Sequence, residues 1–236
     1  MQFHFSTDSF PWCLTEPQQI GIGSLTARIL CTTHNNALSD LDEAAGEAFK
    51  TLQRAADLDA KRSASPGKRF ERVRYGIDGV LLERWFMKTA LNFGAMHKGD
   101  DKWAIDGNLL SRPGVALVSR SFGSAQFTGE SGLYLVGTVG ENLLVGSSFE
   151  AGPLYRFDEG VIGFIFTFRG FRFLLWLADE APPLELDIPW GLGEKGVIRS
   201  LRRRVGYLRF TRNKKISHYV HFSWPDQIVP GWIYSK

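Results

Sequence analysis

"ILCTTHNNALSDLDEAAGEAF", Ile29 to Phe49, sets a Cys-x-x-His and two asparagines directly before an amphipathic run. Leu38, Leu41, Ala45, Ala48, Leu52 and Ala56 recur at helical spacing, so a helix is expected from Ser39 to about Leu58. Ser39 with Asp42 has the form of a capping box, and Asp40, Asp42 and Glu43 sit where the helix dipole is positive. Upstream, Gly23 to Cys31 alternates as a strand would. The order strand, Cys-x-x-His, Asn-Asn, helix implies an α+β protein whose front is a small strand-helix module, a partial ββα-like unit.

Working outward, Lys61 to Lys68, "KRSASPGK", reads as a linker, and "RFERVRYGIDG" as a strand with Val73, Tyr75 and Ile77 on one face. Asp78-Gly79 turns the chain into "VLLERWFMKTALNFGAMH", a helix apolar around most of its circumference and so expected to be buried. Beyond Asp106-Gly107 the pattern becomes short strands: "GVALVSRSF", "GLYLVGTV", "NLLVGSSFE", "GVIGFIFTF" and "FRFLLWLA". "VGYLRFT" and "ISHYVHFSW" form a hairpin around Arg212 to Lys215. The expected organisation is a strand-helix module over 1–60, a linker, strand and buried helix over 61–106, and a mostly antiparallel β-rich domain over 107–236.

Composition narrows the class. With 44% hydrophobic and 22% charged residues among 236, the chain buries a sizeable core rather than remaining disordered. The two cysteines, Cys13 and Cys31, give no disulfide framework, so a reducing compartment is expected. "VIGFIFTF" and "FLLWLA" are too short for a bilayer span, and the first residues lack a signal-peptide pattern. A cytoplasmic protein with no membrane partner is expected.

Net charge is only +3, yet the stretch from Lys195 to Lys215 carries basic residues and no acid. Arg199, Arg202, Arg203, Arg204, Arg212, Lys214 and Lys215 are candidate DNA or RNA contacts. A strand would split Arg202, Arg203 and Arg204 between faces, whereas a loop or helix end would present all three to phosphates. The competing reading pairs these arginines with Asp179, Glu180, Glu185 and Asp187 and leaves a solvated hairpin.

"LCTTHNNALSDLDEAAGEAF" resembles the second knuckle and helix of HNH-type endonucleases, and "LLERWFMKTALNF" resembles a helix that follows that module in some of their relatives. The resemblance covers roughly fifty residues, so the β-rich remainder stands outside it. It implies Cys31 and His34 as zinc-knuckle ligands, with Cys13 as a third, and Asn35 as the asparagine that orients a catalytic His. His4 is the candidate base. The family's first Cys-x-x-Cys and its Glu-His strand have no counterpart here, and Glu47 stands where a metal ligand in the helix would be. Two explanations stay open: an upstream knuckle and catalytic strand precede Met1, or the fold was kept and the chemistry lost. In the chain as given no cofactor is expected, since a structural zinc wants four ligands; zinc or magnesium enters only with an upstream motif. Apart from any resemblance, Cys31 also suits a buried strand end, and His34, Asn35 and Asn36 a turn that caps the helix.

His218 and His221, three apart on a strand, face opposite sides and do not share a metal; one buried and one exposed is expected. "GIGSLT" lacks a P-loop lysine, and no Gly-x-Ser-x-Gly elbow occurs. Two functions follow: an HNH-endonuclease-like protein retaining nucleic-acid binding, or a non-catalytic protein whose aromatic β domain binds a protein or small ligand.

Overall fold

The computed structural model describes residues 2–5, 18–21, 32–68, 70–96, 103–105, 108–110, 112–138, 149–156, 158–183, 198–212 and 215–225. It is an α+β fold. At the front, β1 (Gln2–Phe5) and β2 (Gln18–Gly21) form an antiparallel pair. The expected strand over 23–31 lies outside the described residues.

Helices α1 (Thr32–Ala37) and α2 (Ser39–Ala64) follow, hinged at Leu38. The apolar stripe read from the sequence is buried, from Leu38 and Leu41 to Ala55 and Ala56. The capping box does not form. Because the chain arrives already helical from α1, Leu38 takes the cap position with no side-chain cap, and Ser39 Oγ donates to Asn36 O at 2.7 Å. Asp42 is thereby available to the next helix. It accepts from Lys88 Nζ at 2.6 Å and from Trp85 Nε1 at 3.1 Å. The first residues of the expected linker, Lys61 to Ala64, continue α2, since Arg62 is itself buried.

β3 (Val73–Asp78) alternates as expected, and Asp78 Oδ1 accepts from Leu81 N at 3.0 Å to cap α3 (Gly79–Met96). β4 (Trp103–Ile105) and β5 (Asn108–Leu110) form a short hairpin. The next segment, "GVALVSRSF", was expected as a strand but is α4 (Val115–Phe122). A short apolar run fits both periods, and the ends decide. Leu117 and Ser121, one turn apart, face inward, while Gly123 at φ 76° closes the helix. Its N–H bonds to Arg120 O, and Ser124 N–H bonds to Ser119 O.

The large sheet runs β10-β6-β9-β8-β4-β5, with β7 also paired to β8. Its further strands are β6 (Gly132–Thr138), β7 (Phe149–Arg156), β8 (Gly160–Phe168), β9 (Phe171–Trp176) and β10 (Ile198–Arg203). It is antiparallel apart from one β4–β8 contact at Trp103 and Val161. A small sheet, β11-β12-β3, combines the hairpin of β11 (Tyr207–Arg212) and β12 (Lys215–Ser223) with β3, which runs parallel to β12.

Helix α3 packs on both sheets, touching β3 and β12 on the small one and β7 and β9 on the large one. Helix α2 lies against α3, β3 and β12. One core therefore joins Ala45 of α2 to Trp224 after β12, filled by Phe86, Phe164, Phe166, Phe168 and Phe173. The other face of the large sheet buries a second cluster around Tyr134, Leu174 and Trp176.

Candidate nucleic-acid interface

The two sheets are joined by a short crossing. β10 ends at Arg203, Arg204 turns at φ 42°, and β11 starts at Tyr207. Since β10 was not expected as a strand, the three consecutive arginines take unexpected roles. Arg202 pairs with Leu135 and Arg203 with Tyr134, so they occupy opposite faces of the sheet. Arg203 Nε donates to Ser131 O at 2.9 Å. Arg204 leaves the strand, and its Nη2 donates to Glu83 Oε2 at 3.0 Å while its guanidinium lies 5.5 Å from the Trp224 ring. Two members of the triplet thus join structural elements, and Arg202 alone of the three is exposed.

Arg202 lines a cleft of about 460 Å³ where the edge strands β10 and β11 meet. Leu135, Phe171, Leu208 and Phe210 contribute apolar walls, and Tyr207 stands in the lining. Arg172 of β9, Arg202 of β10 and Arg209 of β11 bring positive charge. No acidic side chain occurs among the described lining residues. Arg202 and Arg209 are exposed and Arg172 is buried at the cleft. Such a cleft suits an anion, and a planar guanidinium matches phosphate oxygens bidentately. Among the acids proposed as partners for the basic run, Glu180 pairs with Arg156. Glu185 and Asp187 lie outside the described residues.

On β11 and β12, alternate residues face away from the helices. Tyr207 pairs with His221 and Arg209 with Tyr219, while Arg74 of β3 pairs with Tyr219 from the other side. The Tyr207 and His221 rings are 6.0 Å apart and stacked, and Tyr207 and Tyr219 are 6.1 Å apart edge-on. His221 is only 7% exposed, so the expectation that one of the two histidines would be exposed is corrected. The flanking tyrosines cover it, and burial, with Arg74 next in weight, holds its pKa below the ordinary value.

His218 faces the core at 0% exposure. Its Nε2 lies 2.9 Å from Ala55 O and its Nδ1 3.2 Å from Arg62 Nη1. A guanidinium only donates, so Nδ1 must accept and Nε2–H must donate to the carbonyl. The ring stacks on Phe210 with centroids 4.2 Å apart. Burial foremost lowers its pKa; the hydrogen bond to Ala55 O is the main opposing pull, Arg62 adds to the lowering, and Asp59 opposes it least.

Acid sensitivity follows from this arrangement. The unfolded chain protonates His218 at its ordinary pKa of about 6.5, and the folded chain does so only at lower pH. His218 therefore contributes stability that is full above about pH 6.5 and declines as pH falls through the folded value. Urea midpoints should drop between about pH 7.5 and 5.5, and His218→Gln, less stable overall, should show a shallower slope there. An unchanged slope in that variant would remove His218 as the cause.

Other sequence candidates stand as follows. His4 sits on β1 opposite Gln19, His34 and Asn35 on α1, Arg199 on β10, and Arg212 and Lys215 at the β11–β12 turn. Their side chains lie outside what the structure describes, as do Cys13, Cys31 and Lys214 entirely. Glu47 is an exposed residue paired with Lys50 at 2.6 Å, which lowers its pKa. No group of three or more metal-ligating side chains occurs among the described residues. No described helix is long and apolar enough to cross a membrane.

Sequence reasoning missed Arg172 as part of the cleft, and Arg74, Tyr207, Tyr219 and His221 as neighbours on one face of the small sheet. The alternation of "GYLRFT" was a signal for Tyr207 and Arg209 sharing a face; nothing local links them to Arg172. Compared with protein-family models, curated proteins and solved structures, the chain matches none.

Proposed function

We propose that this protein binds nucleic acid through the arginine-lined cleft between β10 and β11, as a descendant of an HNH-type fold that kept phosphate contact and lost hydrolysis. The supporting observation is the convergence of Arg172, Arg202 and Arg209 on one cleft whose described lining holds no acid. Support for the descent is Cys31-x-x-His34-Asn35 running into α1 and α2. This reading requires no metal. The competing reading, a protein or small-ligand partner on the β region, draws on exposed aromatic surface. The phenylalanines of β8 and β9 are in the core, and the exposed large apolar residues are scattered: Phe70 before β3, Val115 and Val118 on α4, Tyr155 on β7 and Tyr207 on β11.

The test is binding of fluorescent oligonucleotides across a salt series. Affinity should fall steeply with salt and show little sequence preference, as counterion release dictates. The paired variant Arg202→Glu with Arg209→Glu should lose roughly tenfold or more and flatten the salt dependence. Arg203 and Arg204 are not suitable for charge reversal, since Ser131 and Glu83 hold them. In the same samples, plasmid and single-stranded DNA should survive Mg²⁺, Mn²⁺ or Ni²⁺. Unchanged affinity in the paired variant, with circular dichroism intact, would remove the cleft from the function. Cleavage lost on His4→Ala would restore the nuclease.

A further inference from the structure

Tyr207 belongs to two surfaces at once. It lines the arginine cleft, and it is the outermost ring of the cluster formed with His221 and Tyr219 on the outward face of the small sheet. It is 47% exposed, whereas His221 beneath the cluster is nearly covered. Arg209, on the same strand and face, also lines the cleft. Across the sheet, β3 presents Gly76 opposite His221, where an added Cβ would meet nothing within 4 Å. The face beside the aromatic cluster is therefore left open at that point.

Resting on the nucleic-acid reading above, we infer that this face is a stacking platform and that the ligand is single-stranded. An unpaired base lies against Tyr207, which His221 and Tyr219 hold from behind, and the adjoining phosphates enter the cleft between Arg202 and Arg209. Phosphate contact alone does not distinguish strand number, because both forms carry the same charged backbone. Stacking does, since a base in a duplex already has both faces occupied by its neighbours, while an unpaired base offers a free one. Every base has such a face, so sequence preference stays small and the platform accepts DNA and RNA alike. The immobilised partners matter for the same reason as in any preorganised site: a ring already packed on two others loses little freedom when a base covers it.

The experiment compares oligo-dT and oligo-rU of about 12 nucleotides, within the usual site sizes of such proteins, with a duplex of equal length. Wild-type protein should favour both single strands over the duplex. Tyr207→Ala should weaken single-strand binding roughly tenfold while leaving duplex binding and the salt slope in place. Tyr207→Phe should retain the wild-type affinity, because stacking needs the ring and not the hydroxyl. Gly76→Glu, placed on open backbone that any residue can adopt, should keep the fold by circular dichroism and lose single-strand affinity. Equal binding by Tyr207→Ala and wild type, together with loss in the Arg202 and Arg209 pair, would overturn the platform and leave the cleft reading standing. Equal preference for duplex and single strand would also overturn it. Failure of the wild-type protein to bind any of the three probes would overturn both. A strong preference for one of the two single strands would overturn the claim that the platform accepts DNA and RNA alike.

Discussion

Glu83→Ala should cost about 3–5 kcal/mol of stability, the usual result of removing one partner from a buried ion pair. Glu83 is 2% exposed on α3 and serves two elements at once. Its Oε1 accepts the backbone N–H of Leu133 at 2.9 Å, and its Oε2 accepts Arg204 Nη2 at 3.0 Å. Gly132, at φ 133°, is required beside it, because a Cβ there would come within 2.8 Å of Oε1. Arg204 itself holds a left-handed conformation, unfavourable by about 1–2 kcal/mol for a residue with a Cβ, at the crossing from one sheet to the other. With Glu83 gone, a guanidinium stays inside without its counter-charge and Leu133 N–H loses its acceptor. Urea denaturation would measure the loss. Adding Arg204→Met should recover part of it, since an apolar replacement removes the stranded charge. A single-variant loss below about 1 kcal/mol would show that the pair does not hold the sheets in place.

Phe86→Ala should be comparably damaging, at about 3–5 kcal/mol. Phe86 is fully buried where α3 meets the large sheet. Its ring lies 4.5 Å from Phe166, 5.2 Å from Phe173 and 5.4 Å from Trp85, with Phe49 of α2 at 6.3 Å. Four rings from four elements cannot all collapse into the space one leaves, so a cavity term adds to the lost transfer free energy. Phe86→Leu, closer in volume, should cost less than about 1.5 kcal/mol. Similar losses for both variants would indicate that the interior relaxes around the site, contrary to this packing.

Much of the secondary structure was legible because its signals are local. The stripe of α2, the alternation of β3 and the hairpin of β11 and β12 repeat with the period of their element, and Asp78-Gly79 marks the turn into α3. The failures occurred where the local signal was divided. "GVALVSRSF" fits helix and strand alike, and the terminal Gly123 with a buried one-turn pair settles it as helix. Ser39 and Asp42 had the spacing of a capping box, but a preceding helix took the cap and Trp85 and Lys88 took the carboxylate. Both outcomes depend on residues beyond the window in which a pattern is read.

By itself, the sequence determined that this is an α+β protein with a long amphipathic helix, a buried second helix and a largely antiparallel sheet, and that a basic run lies near its end. Periodic burial and turn chemistry suffice for that. What that run does was decided only by the tertiary structure. Three adjacent arginines share one charge and one chemistry, yet Arg203 meets Ser131 O, Arg204 meets Glu83 from α3, and Arg202 lines a cleft with Arg172 and Arg209. Partners 72 and 121 residues away fix the roles of Arg203 and Arg204. A pleated strand sends neighbours to opposite faces, and whether a face is core, crossing or cleft depends on which distant element packs against it.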